Sequence, residues 1–393
     1  MANEQNPGNS AFPSGKWKKQ TAFFLASQNI SLIGSSVVGF AITWHITLET
    51  GSGFWMMLAT VCNLVPQVAF SLIAGAWADR YNRKHVIMLS DGFVGLAMLL
   101  LAISFLAGFP KIELLLVALA ARAIGASIQA PAVNAFFTQL APKEQLAKVQ
   151  GINQAIGSAF ALATPALGGL LLASVGIVGA FLTDTVGAAI AIGVASRIHV
   201  GKPHIANHPQ PVFKDIAMGI SYIGGNRRLK RLFACLLCSF WLVTPSFTLT
   251  PLMIGRTFGN EVWRLAVHEI VWSSAMVACG VLLSIRGGFR DNEKAIARSI
   301  AGFGISFALA GLSWSFASFL VFLGVAGLFW PIWSMAQTVL VQEITQPAML
   351  GRVFSVVHLI ITGTVPIAIL IYGPLADTIG IEAILVATAF CLQ

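Results

Sequence analysis

Arg122, Asp184 and Glu269 stand well inside largely apolar stretches, 112–138, 177–197 and 262–285 respectively. Burying a charge among apolar neighbours is costly, so each needs a partner or water. A carboxyl in a poorly hydrated cavity can load a proton from one side and release it to the other. Asp184 and Glu269 are therefore the candidate proton carriers, unless each is simply a hydrated acid near a helix end. Arg122 either sets the proton affinity of such a carboxyl or is locked in a structural ion pair. Gly125 and Gln129 follow it at three and seven residues, which puts Gln129 and Arg122 on one helical face.

The densest charge lies in Gly75-Ala76-Trp77-Ala78-Asp79-Arg80-Tyr81-Asn82-Arg83-Lys84, with one acid and three bases between two apolar runs. Hydrocarbon cannot hold that charge, so the stretch reads as a tight loop at a membrane surface. Gly75 lets helices approach, Asp79 can accept from Arg80, Arg83 or a helix end, and Arg80, Arg83 and Lys84 fix the side on which the loop sits. Asp91, two turns into the next run, is expected to pair with Arg80 or Arg83 in a tie that alternating access makes and breaks. Glu343 reads as structural and Asp377 as solvated.

Lipid offers amides no partner, so Gln28, Asn29, Asn63, Gln67, Asn153 and Gln154 are expected to line a cavity with Gln129. They would bind a large oxygen-rich ligand by hydrogen bonds. Trp44, Trp241, Phe247, Trp330, Trp333 and Met335 suit an amphiphilic pocket, and Trp241, Trp330 and Trp333 are assigned to its wall. Gly157, then Thr164-Pro165-Ala166-Leu167-Gly168-Gly169, mark a helix that bends at Pro165 and packs closely at Gly168 and Gly169; Pro366 and Gly373-Pro374 have a similar arrangement.

Enzyme chemistry is not indicated. No nucleophile has a plausible base, and no phosphate-binding loop makes ATP the direct energy source. The 5 Cys are scattered and His85, His199, His204 and His208 lack ligand spacing, so neither a metal site nor a disulfide framework is expected. No cofactor is called for; a proton gradient would supply the energy.

The elements that must position these residues follow from composition. With 56% hydrophobic and 10% charged residues, a chain of 393 residues is not a water-soluble globule. Apolar runs long enough to cross a bilayer recur at 21–46, 53–78, 85–108, 112–138, 147–173, 177–197, 231–255, 262–285, 295–315, 317–342 and 352–377. A twelfth, 380–393, is too short to cross unaided, so it is either truncated or ends inside the membrane. Twenty of the 24 Lys and Arg fall on one side of this arrangement, against Lys111, Arg256 and Arg264 on the other and Arg122 within a span. The positive-inside rule then makes the N-terminus cytoplasmic. The net charge of +9 reports that orientation, with contact to the lipid bilayer, and no nucleic-acid partner.

Four segments result: a cytoplasmic tail 1–20, a six-helix bundle 21–197, a linker 198–230 and a second bundle 231–393. No cleavable signal precedes the first span. In the linker, Phe213, Ile216, Ala217, Ile220, Tyr222 and Ile223 share a helical face, which predicts a short helix on the membrane surface. Gln139-Leu140-Ala141-Pro142 with Leu146-Ala147-Lys148-Val149 is echoed by Glu343-Ile344-Thr345-Gln346-Pro347 with Leu350-Gly351-Arg352-Val353. Such an echo implies two pseudo-symmetric six-helix bundles about a midplane cavity, an all-α integral membrane protein.

The pattern G-x-x-x-D-R-x-x-R-K at Gly75–Lys84 closely resembles the loop between the second and third helices of major facilitator superfamily transporters. Arg122-x-x-Gly125 resembles that superfamily's fourth-helix motif, whose Arg lines the cavity and is linked to proton coupling. Thr164-Pro165 through Gly169 resembles the fifth-helix motif of its exporters, with Thr164 where Gly is usual. Glu49-Thr50-Gly51-Ser52, Pro131-Ala132-Val133-Asn134-Ala135, Asp184 with Val186-Gly187-Ala188, Glu269-Ile270 and Leu350 through Ser355 look like the macrolide efflux (Mef-type) branch of the drug:proton antiporters. The resemblance implies the major facilitator fold and proton-driven export of macrolide-like drugs from a bacterial cytoplasmic membrane, by a chain working as a monomer. Two other readings remain: an exporter of an endogenous amphiphile such as a siderophore or lipid, and a non-transporting membrane partner acting beside a soluble ATPase.

Overall fold

The computed structural model describes residues 16–140, 142, 145–198 and 212–392; some side chains within its helices, among them 75–80, 154 and 165, lie outside that description. The described residues form helices and connections: α1 (Lys16–Thr50), α2 (Gly53–Arg80), α3 (Arg83–Leu106), α4 (Ile112–Leu140), α5 (Leu146–Arg197), α6 (Val212–Gly225), α7 (Arg227–Thr248), α8 (Thr250–Thr257), α9 (Val262–Arg286), α10 (Asn292–Gly311), α11 (Phe316–Ile344), α12 (Leu350–Thr378) and α13 (Ile381–Cys391). Helices suit hydrocarbon because each satisfies its own backbone groups.

Helices lie along each of the twelve expected stretches, with two changes of form. The fifth and sixth are the arms of α5, which is interrupted at Gly176 by a left-handed backbone (φ 67°, ψ −175°) that Gly adopts without penalty. The seventh is broken at Leu249 into α7 and α8, the latter starting with Pro251 in its first turn. Among the described residues, nine stretches are long and apolar enough to cross a membrane. Outward-facing Leu89, Leu106, Leu282 and Ile285 are more than 60% exposed, which suits a molecule whose surroundings are lipid.

The helices sort into two compact units: Met1–Ala41, Pro66–Thr164 and Ser174–Pro209 in the first, and Ile42–Val65, Pro165–Ala173 and Gln210–Gln393 in the second. Stretches 42–65 and 165–173, placed with the first bundle by sequence order, thus belong to the second unit. In the first unit, Phe24 packs edge-on to Phe136 and Phe137 at 4.8 and 5.4 Å, within a core that includes Ile87, Val133 and Leu140. Helices α3 and α4 touch at Gly125, where a Cβ would collide with Val94, and the Ser90 hydroxyl donates to Gly125 O at 2.6 Å. A Cβ at Gly95 would lie 2.9 Å from that of Ala188, so α3 packs as closely on the second arm of α5.

The second unit is held by aromatic rings. Phe240, Phe247, Trp272, Phe303, Trp330 and Trp333 form a chain of contacts across α7, α9, α10 and α11 at centroid distances of 4.9–6.3 Å. Ser315 and Ser318 cap α11 reciprocally. The expected linker helix is α6, but it is docked on α12: a Cβ at Gly219 would lie 2.6 Å from Arg352 O, and the Gln346 N–H donates to the Tyr222 hydroxyl at 3.2 Å. Among its described side chains Gly219 and Ile223 are buried, while Ile220, expected on the same face as Ile223, points outward.

Candidate functional site

The charged pair lies in the first unit. Arg122, on α4, donates through Nη1 to Asp184 Oδ2 on the second arm of α5, and the side chains are 9% and 3% exposed. The Ser35 hydroxyl of α1 donates to the other carboxylate oxygen at 3.0 Å. Gly39, one turn further along α1, leaves room for the guanidinium; a Cβ there would lie 3.4 Å from Arg122 Nη2. Three helices thus converge on one buried ion pair. Such a pair is costly to break by removing one member, because the other charge is then stranded.

Asp91 sits in a second polar cluster of the same unit, and its partners differ from those expected. The Ser31 hydroxyl and Gln129 Nε2 donate to Asp91 Oδ1 at 2.9 and 3.0 Å, and Gln129 Nε2 also lies 3.0 Å from Gln28 Oε1. Asp91 Oδ2 and Gln28 Nε2 have no hydrogen-bond partner among the described residues. The expected tie to Arg83 is replaced because Arg83 Nη1 donates to Ala135 O at 3.0 Å. Lys84 donates to Ser196 O and Ile198 O at 2.7 and 2.9 Å, satisfying carbonyls at the C-terminus of α5. The side chains of Gly75, Asp79 and Arg80 lie outside the described residues.

Asn29 Nδ2 donates to Leu25 O at 2.7 Å and to Asn153 Oδ1 at 3.3 Å, so this pair joins α1 to the first arm of α5. Asn63 and Gln67 are exposed, and the Gln154 side chain is outside the description, as is that of Pro165. Gly157 is open, with nothing near a Cβ built there, whereas Gly168 is buried and a Cβ at Gly169 would lie 2.9 Å from the Trp44 ring and 3.2 Å from Ala266.

The second unit holds Glu269 on α9, 19% exposed, with His268 Nδ1 at 3.7 Å from its carboxylate. His268 is buried and stacks on Phe319. Trp330 and Trp333 line a cavity of about 240 Å³ between α7, α11 and α12 together with Phe240, Gln337, Thr338 and His358. Trp241 is elsewhere, beside Tyr372 at 6.3 Å. Sequence reading passed over Gln337 and His358. The signal was there: Trp330, Trp333 or Ser334, and Gln337 recur at helical spacing, so a polar strip shares a face with the aromatic one.

Asp377, expected to be solvated, is exposed and also bound. Its carboxylate accepts the Ser52 hydroxyl at 2.9 Å and the Gly53 and Phe54 N–H groups at 2.7 and 3.0 Å, capping α2, and it pairs with Arg256. Arg256 also donates to Gly51 O and Ala376 O. There α2 and α12 meet backbone to backbone: a Cβ on Gly53 would collide with Gly373 O, and one on Gly373 would lie 2.5 Å from the Met57 Cβ.

Comparison with known proteins gives the following. The Major Facilitator Superfamily profile matches residues 24–369. The chain is 29% identical over 376 residues to Macrolide efflux protein A of Streptococcus pyogenes, covering 93% of this chain and 91% of that one. It is 24% identical over 369 residues to Multidrug efflux pump Tap of Mycobacterium tuberculosis, covering 91% and 86%. Among solved structures, a bacterial homologue of the human lysosomal transporter Spinster aligns with a TM-score of 0.69 at 15% identity, covering 97% and 95%. A bacterial homologue of the iron transporter ferroportin aligns with a TM-score of 0.67 at 16% identity, covering 95% and 97%.

Proposed function

The chain belongs to the Major Facilitator Superfamily, and from that premise we propose that it is a proton-coupled secondary exporter of amphiphilic drugs, macrolides among them, working by alternating access. It is a multi-pass membrane transporter and not an enzyme. The observation that carries the coupling is the buried Arg122–Asp184 pair braced by Ser35. A proton arriving on Asp184 cancels the charge that holds Arg122, so α1, α4 and the second arm of α5 lose their shared bond and the balance between two cavity orientations shifts. Glu269 would carry the second proton site, in the other unit. The macrolide reading is supported by the likeness to Macrolide efflux protein A along most of both chains.

In this reading the Gly75–Lys84 loop and Asp91 favour one of the two states, and Gln28, Asn29, Asn63, Gln67, Gln129, Asn153, Gln154, Trp241, Trp330 and Trp333 face substrate. The protein works as a monomer in the bacterial inner membrane with its N-terminus cytoplasmic and takes its energy from the proton gradient; a soluble ATPase belongs to the alternative reading, in which the chain is a non-transporting partner.

The test is erythromycin accumulation in a pump-deficient bacterial host. Expression is expected to lower accumulation, and a protonophore to restore it. Asp184→Asn and Glu269→Gln should each abolish gradient-driven efflux while purified protein still binds drug. Unchanged accumulation with protein folded in the membrane rules out macrolides as substrates. Full proton-dependent efflux by both variants rules out these carboxylates as carriers.

A further inference from the structure

Two carboxylates of the first unit lie on one seam between α1 and α4. Along α1, Ser31 and Ser35 are one turn apart, and their hydroxyls donate to Asp91 Oδ1 and Asp184 Oδ1 at 2.9 and 3.0 Å. Along α4, Arg122 and Gln129 are two turns apart on one face and reach the same two acids, Arg122 to Asp184 and Gln129 to Asp91. The two levels differ in what meets the acid. Asp184 has a guanidinium, whereas Asp91 has a hydroxyl and an amide.

The charge along this seam does not balance. Around Asp91, α1 brings Gln28 and Ser31 and α4 brings Gln129, all neutral. On α3 itself, Arg83, Lys84 and His85 stand in the first turn, where Arg83 and Lys84 donate to carbonyls and His85 is exposed. The second arm of α5 adds Asp184, a like charge already paired with Arg122. Among the described residues no base pairs with Asp91, which is 3% exposed. A buried carboxylate without a counter-charge is costly, and a proton removes the charge. The hydrogen bonds have the matching asymmetry. Oδ1 accepts two donors, while the buried Oδ2 has no partner among the described residues. A protonated carboxyl has one accepting carbonyl oxygen and one hydroxyl, whereas an ionised one has two equivalent acceptors.

We propose that Asp91 is a proton-binding site, with the proton on Oδ2 and the acid held through Oδ1 by Ser31 and Gln129. The seam then carries one neutral acid and one ion pair. Loss of this proton puts a second negative charge one turn of α1 away from the Asp184 level, and the two carboxylates compete for Arg122. The two levels are therefore linked: the proton on Asp91 secures the bond between Arg122 and Asp184, and its departure loosens that bond. The use of this proton in transport rests on reading the chain as a proton-coupled exporter, whose substrate displaces it. Its place on Asp91 does not.

The experiment is infrared spectroscopy of the purified full chain in a maltoside detergent, which has no carbonyl group of its own. Labelling aspartate with carbon-13 at the side-chain carboxyl confines the isotope-sensitive signal to aspartates. At about pH 7 an ordinary aspartate is ionised, so a neutral-acid band reports a protonated one. The wild type should show such a band and Asp91→Asn should lose it. Ser31→Ala removes one donor from Oδ1, so it should keep the band and move it to higher frequency; this variant decides the matter if Asp91→Asn does not fold. No band in the wild type overturns the proposal, and is the result expected if a water joins Gln28 Nε2 to Asp91 Oδ2 and leaves the acid ionised. So does a band that persists in Asp91→Asn or stays in place in Ser31→Ala. The protons released when erythromycin is added in weak buffer test the link to transport, and Asp91→Asn should release about one fewer per bound drug. Equal release from both proteins overturns that link. If the band belongs to Asp91 and erythromycin does not bind, the proton site stands and the macrolide assignment falls.

Discussion

Arg122 and Asp184 are 62 residues apart in the chain, yet each is the other's charged partner. Both were conspicuous in the sequence, because a charge in an apolar run has few innocent explanations, but nothing in the spacing joined them. Removing one leaves the other buried and uncompensated, which costs about 3–5 kcal/mol. Asp184→Leu should therefore lower the thermal midpoint of the purified protein sharply, whereas Arg122→Met together with Asp184→Leu should recover most of it. If the double variant is no more stable than the single one, the pair is not a coupled unit. Asp91 teaches the opposite lesson. A cation was expected beside it, and the structure supplies Ser31 and Gln129. Neutral donors can hold one carboxylate oxygen, here Oδ1 while Oδ2 has no partner among the described residues, and they leave no charge pattern to read. Gln129→Leu would leave Asp91 Oδ1 with one donor, and should cost about 1–3 kcal/mol; a change within a few tenths would mean that the bond contributes little.

At the scale of elements, most of the architecture was legible because a helix that crosses hydrocarbon needs a long apolar run, and such runs are hard to miss. What stayed hidden was how helices meet. Gly373 was read as part of a bend and position 53 as the start of an apolar run, yet Gly53 and Gly373 let the backbones of α2 and α12 touch. Without a hydrophobic force between helices in lipid, such close packing is a main source of association. Gly373→Ala should destabilise the protein by about 1–3 kcal/mol, the usual consequence of overpacking. Gly193→Ala, on a helix position with nothing within 4 Å of a new Cβ, should instead be neutral or stabilising by about 0.5–1 kcal/mol. Similar effects at both sites would refute the packing argument. The break between α7 and α8 had a sequence signal that was overlooked: Pro251 restricts the residue before it and cannot continue the ladder of α7. Capping by Asp377 had none, since its partners Ser52 and Gly53 are more than 320 residues away.

For the whole molecule, orientation is a statement about how many times the chain crosses. Lys111 follows α3 and Arg290 follows α9, and both side chains are exposed. Between them lie α4, the two arms of α5, the broken run of α7 and α8, and α9. If each arm of α5 crosses separately and α7 with α8 crosses once, the chain crosses five times and these positions face opposite compartments. If α5 crossed only once, or α7 and α8 crossed separately, they would face the same one. By the positive-inside rule, the skew of basic residues predicts that Arg290 is cytoplasmic. In a background with the five native cysteines replaced, Lys111→Cys should react with an impermeant maleimide on intact cells, and Arg290→Cys only after permeabilisation. Labelling of both on intact cells would refute the crossing count, and the reverse order would keep the count but invert the protein. The outcome also bears on transport. A carrier that exchanges protons for drug moves drug against the flow of protons whichever way round it sits, so the labelling decides which ends of the helices open to the cytoplasm while the gradient alone decides the direction of efflux.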